Sequence, residues 1–211
     1  MVGPAARHRL LNGLLAAVLC TTAAVVTQQA GVLMSADWSS GMTRHALSKW
    51  ATGQTTYTNE QWEQARQDLT RAVALTPNDA TLHDALAQLQ AIRGRSIWTI
   101  GGPNSPEVAA YREALAHQET SIRLRPTHAM AWANLALMHM AVNTSPEALY
   151  QAWREAARLG PKEIDVENTL VILAANTWVS APADVRQWVE TRRPGFAAEM
   201  ANPAVPATSP Q

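Results

Sequence analysis

The sequence predicts an all-α chain of stacked helix pairs, about three and a half of them, and three observations carry that prediction. A short phrase recurs as Leu75-Thr76-Pro77, Leu124-Arg125-Pro126 and Leu159-Gly160-Pro161. Around each proline the same residue types return. A small residue lies five before (Ala72, Ser121, Ala156) and an apolar one three after (Ala80, Ala129, Ile164). Leucine lies nine after (Leu86, Leu135, Leu170), and Leu89, Met138 or Leu173 twelve after. Self-similarity of this kind marks an architecture in which each unit buries its apolar face against the next. The second observation is the period: Pro126 and Pro161 are 35 residues apart and Pro77 and Pro126 are 49 apart. A helix–turn–helix repeat of about 34 residues accounts for the first interval, and for the second with an inserted loop of roughly 15. Third, apolar residues recur at helical spacing between the prolines, while strand formers are sparse.

The elements follow in order. Residues 1–9 form a basic leader in which Arg7 and Arg9 precede Leu10–Met34, 25 residues without a formal charge. About 20 mostly apolar residues span a bilayer, so residues 10–34 are expected to be a membrane anchor. A cleaved secretory signal ending near Thr22-Ala23-Ala24 and a buried apolar helix are the alternatives. Leu19 before Cys20 is too bulky for lipoprotein processing. Positive charge stays on the cytoplasmic side, so with Arg7 and Arg9 on one flank and Arg44 the next basic residue, residues 35–196 are expected outside the cytoplasm. The first repeat helix is expected over 41–52, with Ala46, Leu47 and Trp50 on one face. Thr58 and Gln61 stand at capping-box spacing and open the second, with Trp62, Ala65, Leu69 and Ala72 as its stripe. Asn78 or Asp79 caps the third, whose stripe is Leu82, Ala85, Leu86 and Leu89 and whose stop is expected near Gly94. The insertion, 94–105, carries Ile97, Trp98 and Ile100. Ser105-Pro106-Glu107 and Ser145-Pro146-Glu147 each start a helix: Ser caps, Pro sits where its missing N–H costs nothing, and Glu faces the positive end of the dipole. A last pair is expected over 162–176 and 182–192, and residues 197–211, rich in Pro, Ala, Thr and Ser, as a disordered tail.

These features resemble the tetratricopeptide repeat (TPR) family. Trp132-Ala133-Asn134-Leu135-Ala136 is similar to its first-helix signature, and Ala65, Leu69 and Ala72 to its second. The usual glycine is Ala87 or Ala136, and the usual tyrosine is absent. The resemblance spans roughly 42–193. More loosely, Trp132 through Gly160-Pro161-Lys162-Glu163 to Trp178 and Asp184-Val185-Arg186 is similar to small TPR-like proteins encoded in bacterial exopolysaccharide loci, of the VpsP type.

The chemistry-bearing residues narrow the function. Lys+Arg and Asp+Glu are equal at 17 each, which offers no basic patch for nucleic acid. The single cysteine, Cys20, forms no internal disulfide. The six histidines are not spaced as metal ligands, and Gly101-Gly102-Pro103 has no Gly-Lys-Ser/Thr after it. No enzyme, metal or cofactor is therefore expected. Trp62, Trp132, Trp153, Trp178 and Trp188 fall on apolar stripes and are expected to pack, Trp132 in a buried position. The TPR resemblance places a partner groove on the first helices, at Thr81, Asp84 and Gln88; Met130, Ala133, Asn134 and Leu137; and Asp165, Asn168 and Thr169. No Lys or Arg stands at these positions, unlike TPRs that clamp a terminal carboxylate. The groove suits a helix or extended segment of another protein, with Ile97, Trp98 and Ile100 as a further contact. The expected function is a non-catalytic scaffold or adaptor at the bacterial inner membrane, its C-terminal domain periplasmic. Its partners would be envelope or inner-membrane proteins, in exopolysaccharide biosynthesis or export. The alternatives are cytochrome maturation, a pilus, secretion, or a Trp-based carbohydrate-binding module.

Overall fold

The computed structural model describes residues 4–96 and 104–201; the side chains of 4–16, 32–33, 35–39 and 96 lie outside that description. The described residues are all-helical in their regular structure: α1 (Pro4–Ala51), α2 (Asn59–Leu75), α3 (Ala80–Ser96), α4 (Pro106–Leu124), α5 (Ala129–Ala141), α6 (Pro146–Leu159), α7 (Ile164–Asn176), α8 (Ala183–Arg192) and α9 (Phe196–Ala201). The chain divides into two units, 1–82 and 83–211.

In the first unit the uncharged run and the first repeat helix are one continuous helix of 48 residues, not two elements. The reason is local: no proline stands between Pro4 and Pro77, so nothing in 35–41 forces a break. Along α1 the hydroxyls of Thr21, Thr22 and Thr27 donate to carbonyls one turn back, which removes their donors from the surface. Among the described residues no helix is long and apolar enough to cross a membrane. The expected span begins in Leu10–Ala16, whose side chains lie outside the description. After Gly53, whose φ of 71° needs a residue without Cβ, α2 folds back on the last turns of α1. Leu47, Ala65, Leu69 and Ala72 are buried there, and Trp50 and Tyr57 meet with ring centroids 5.1 Å apart. The capping box forms as expected, Thr58 and Gln61 each bonding the other's backbone N–H.

The recurring phrase is one piece of backbone chemistry. At Thr76, Arg125 and Gly160 the cap N–H donates to the carbonyl of the small residue four back: Ala72 (2.9 Å), Ser121 (2.8 Å) and Ala156 (2.9 Å). The carbonyl of each cap residue then accepts from the N–H three residues on, that of Asp79, His128 or Glu163. All three small residues are fully buried, and the leucines and methionine nine and twelve after the prolines are buried too. The position three after does not follow: Ala129 is buried, but Ile164 is 64% exposed. A fourth turn was not expected. Arg193 donates to Val189 at 2.8 Å and accepts from Phe196 at 3.1 Å, with Pro194 standing 33 residues after Pro161. Arg192 replaces the leucine and Val189 the small residue, so the sequence pattern is lost while the turn remains. The helix it launches, α9, runs into the segment expected as tail; residues 202–211 lie outside the description.

In the second unit α5 packs against α4, α6 and α7, and α8 packs on α7. The core is Leu135, Tyr150, Trp153, Val166, Leu170, Leu173, Val185 and Val189, with alanines between the helices. Ser105 and Ser145 cap α4 and α6 through Val108 and Ala148 N–H. Two expectations are corrected. Trp132 is only partly buried at the edge of the core, its Nε1 donating to the Pro126 carbonyl at 2.8 Å. Among the described side chains the buried tryptophan is Trp153, on a second helix, 2% exposed. Gly94 does not stop α3, which runs on to Ser96. It is buried because a Cβ there would lie 2.7 Å from Cε2 of Tyr111 on α4. The residue permits close approach rather than a turn.

Candidate functional site

The expected groove positions fall into three sets. Thr81, in the first unit, bonds its backbone N–H to the capping carboxylate of Asp79 at 2.8 Å. On α3 in the second unit, Gln88 is exposed and Asp84 is engaged. On α5, Met130 and Leu137 are half-buried against the core, Asn134 is half-buried, and Ala133 is fully buried and has no surface to offer. On α7, Asp165 is exposed, and Asn168 and Thr169 are half-buried. The helices α5 and α7 pack directly on one another. Ile97, Trp98 and Ile100 lie outside the described residues.

No Lys or Arg stands at the expected groove positions, but two arginines from turns reach them. Arg125, the cap residue after α4, reaches Asp84 with Nη2 at 2.5 Å, and Gln118 donates to the other Asp84 oxygen at 3.0 Å. His128 Nδ1 lies 3.0 Å from the same guanidinium nitrogen and 3.8 Å from the carboxylate. Arg193, the cap residue after α8, donates to Asn168 Oδ1 at 2.9 Å. Both arginines come from turns, so a search confined to the first helices misses them. They take up two of the polar groups that a partner was expected to use.

The α3–α4 contact carries polar pairs beside its apolar ones, Ala87 with Ala114 and Gly94 with Tyr111. His83 Nδ1 and His117 Nδ1 stand 3.3 Å apart, Gln90 donates to Glu113 at 2.6 Å, and Asp84 accepts from Gln118. Burial, and then the neighbouring His83, lower the pKa of His117. None of these pairs was visible in sequence, because the insertion between the helices hides which residues face each other. Among the described residues no group of three or more His, Cys, Asp or Glu could hold a metal.

Trp153, Trp178 and Trp188 each meet other side chains of the protein. Trp153 donates to the Leu170 carbonyl at 3.1 Å and meets Trp188 edge-on at 4.9 Å. Arg192 covers Trp188 at 3.8 Å, and Trp178 packs on Phe196.

A cleft of about 120 Å³ opens where the α5–α6 turn meets the α7–α8 turn. His139, Asn143, Ser145, Tyr150, Thr177 and Ser180 supply its polar lining. Asn143 holds the tight α5–α6 turn at φ 51°. His139 Nδ1 lies 2.9 Å from Thr144 Oγ1, and burial lowers its pKa against the opposing pull of Glu119. Tyr150 is 5% exposed, and its hydroxyl is buried without a hydrogen-bond partner.

No protein-family model matches the chain, and no curated protein matches it. The functional reading therefore rests on the residues themselves.

Proposed function

We propose that this protein is a non-catalytic, TPR-type scaffold or adaptor of the bacterial cell envelope, anchored in the inner membrane through residues 10–34 with its helical domain in the periplasm, and serving exopolysaccharide biosynthesis or export. The observation that supports it is the recurring turn: four helix ends share one pair of backbone bonds, and their prolines are spaced by 49, 35 and 33 residues. Repeats of this kind mostly offer extended surfaces to partners. The neighbouring first helices α5 and α7 present Met130, Asn134, Leu137 and Asp165 as the docking face. Ile97, Trp98 and Ile100 provide a second contact. The partner is another envelope or inner-membrane protein, bound as a helix or extended segment.

Photo-crosslinking residues placed in the full chain at Met130, Asn134 and Leu137, and at Gln151 on the exposed side of α6, test this in cells. The groove positions are expected to capture one envelope protein that Gln151 does not. Equal capture at all four positions, or none at the groove, removes the docking face. Orientation is tested separately by a reporter fused after Gln211. Activity confined to the cytoplasm reverses the topology, and extraction by alkaline carbonate removes the anchor.

A further inference from the structure

The last of the first helices, α7, is open on one side. Of the exposed large apolar side chains described in the second unit, all but Leu124 lie on it or just past its end: Ile164 is 64% exposed, Ile172 58% and Val179 97%. The scaffold reading does not use them. In a repeat array the terminal unit normally turns a polar face outward, because no further unit covers it. The turn at Arg193 does launch another helix, but α9 is only 6 residues long and packs on α8. The three apolar residues stay exposed with α9 in place.

Their order along the helix is symmetric. Ile164, Asn168, Ile172, Asn176 and Val179 follow one another at steps of three or four, which sets them in one stripe. Read from either end, the stripe runs apolar, amide, apolar, amide, apolar, with Ile172 at its centre and no Lys, Arg, Asp or Glu in it. A second copy laid antiparallel across a two-fold axis at Ile172 therefore meets its own pattern. Ile172 faces Ile172, Ile164 faces Val179, and Asn168 faces Asn176. The two amides are complementary as well. Asn168 Oδ1 accepts from Arg193 at 2.9 Å, which leaves the Asn168 Nδ2 hydrogens to give. Asn176 Nδ2 donates to the Ile172 carbonyl at 2.8 Å, which leaves the Asn176 Oδ1 to accept. Each Asn168 can thus donate to Asn176 of the other copy, and the bond is made twice. Asp165, beside the stripe, comes to lie opposite Val179, so no like charges meet. A parallel pairing would instead set Asp165 on Asp165, and each amide's free donor or acceptor on its own kind.

We propose that two copies of this protein pair through this stripe of α7, antiparallel, about a two-fold axis at Ile172. One helix against its copy covers less than the roughly 1,000 Å² of a long-lived interface, so the pairing is weak and reversible. The amides set its register, as a polar residue in an apolar helix seam does. Pairing through α7 adds to the scaffold reading without depending on the anchor or the groove.

Full chains carrying Cys20→Ser and one added cysteine are purified in detergent and oxidised with copper phenanthroline, and the disulfide-linked dimer is followed on non-reducing gels. Ile172→Cys is expected to couple to itself. Ile164→Cys and Val179→Cys are each expected to couple at least about tenfold more slowly alone, because the helical rise sets the two copies of either residue roughly 20 Å apart along the seam. A mixture of those two variants is expected to recover the fast coupling. Random collision predicts the reverse order, since Ile172 is the least exposed of the three. Adding Ile172→Glu to both members of the mixture sets two carboxylates together at the axis and is expected to slow coupling about tenfold. Helical circular dichroism should not change, because the side chain is exposed. The pairing is ruled out if Ile172→Cys does not couple, which would leave the stripe to a foreign helix or to lipid. It is equally ruled out if Ile164→Cys or Val179→Cys alone couples as fast as Ile172→Cys, the mark of parallel association or collision. A mixture no faster than its members, or no effect of Ile172→Glu, also overturns it. A groove that captures no envelope protein leaves this pattern untouched, so the two readings fail separately.

Discussion

Replacing Trp153 by alanine should cost far more than replacing Trp132, although Trp132 is the tryptophan that the repeat pattern singles out. Trp153 is 2% exposed. Its removal opens a cavity among Leu170, Val185 and the other residues of that core, a loss of about 3–5 kcal/mol for a buried Trp. Part of that loss is identifiable. The indole N–H bond to the Leu170 carbonyl contributes about 1 kcal/mol. The edge-on contact with Trp188 adds roughly 0.5–1.5 kcal/mol. The Leu170 carbonyl is not stranded, because α7 continues past Ala174 and supplies an intrahelical donor. Trp153→Phe should therefore lose about 1 kcal/mol for the bond, plus a smaller volume term. Trp132 is only partly buried, and its bond to Pro126 lies at the surface. Its alanine variant should cost about half as much as Trp153→Ala. At roughly 2–4 °C per kcal/mol for a chain of this size, Trp153→Ala is expected to lower the melting midpoint by about 6–20 °C. The assay is thermal unfolding of the full chain in detergent, followed by helical circular dichroism. A midpoint loss for Trp132→Ala equal to or above that for Trp153→Ala would refute the burial argument.

Gly94→Ala should destabilise by about 1–3 kcal/mol in chemical unfolding, because its new methyl meets the buried Tyr111 ring. Helix propensity alone predicts a gain of about 1 kcal/mol, so a more stable variant would show that the α3–α4 approach is looser than the structure has it. The pKa values of His117 and His139 are lowered by burial, so the unfolded chain takes up protons that the folded chain resists. Their contribution is fully present above the ordinary histidine value of about 6.5 and is lost as pH falls through the lowered folded values. Urea midpoints should drop on acidification below about pH 6.5, and a His117→Gln, His139→Gln double variant should flatten that drop; an unchanged slope refutes it. Arg154 and Asp184 form a two-bond pair, at 2.6 and 3.1 Å, between α6 and α8, with both side chains about half exposed. A double-mutant cycle should give a coupling of only about 0.2–1 kcal/mol, reduced by salt, and a salt-independent coupling would contradict its exposure.

What the sequence made legible is what the backbone needs locally. A helix must end with its last carbonyls satisfied and its chain redirected, and a small residue followed four later by a cap residue and then proline does both within six residues. Ala72, Ser121 and Ala156 could therefore be read before any contact was known. The capping box at Thr58 and the Ser-Pro-Glu starts are legible for the same reason. Even here the turn outlasts the pattern: the bonds at Arg193 form without the leucine or the small residue, because only their backbone geometry is required.

The rest depends on partners distant in sequence, and there residue type alone misleads. Gly94 and Gly160 both read as punctuation, yet neither has a positive φ, and each is small because another helix's atoms stand where its Cβ would be. At the position equivalent to Gly160 the other turns carry Thr76 and Arg125, so the constraint at Gly160 comes from Ala129 and Val166 rather than from the turn. Asp84 shows the functional side of the same lesson. Its place on a first helix suggested a free carboxylate facing a partner, but Arg125 from the next turn reaches it across 41 residues. A turn that ends one helix thus also supplies the side chain that closes part of the face of another. On α5 and α7, Asn134 and Asp165 remain half-buried and exposed respectively. For the proposed groove this makes the expectation specific: a docked segment is expected to read the α5–α7 side, and substitutions at Asp84 are expected to act through Arg125 and its turn.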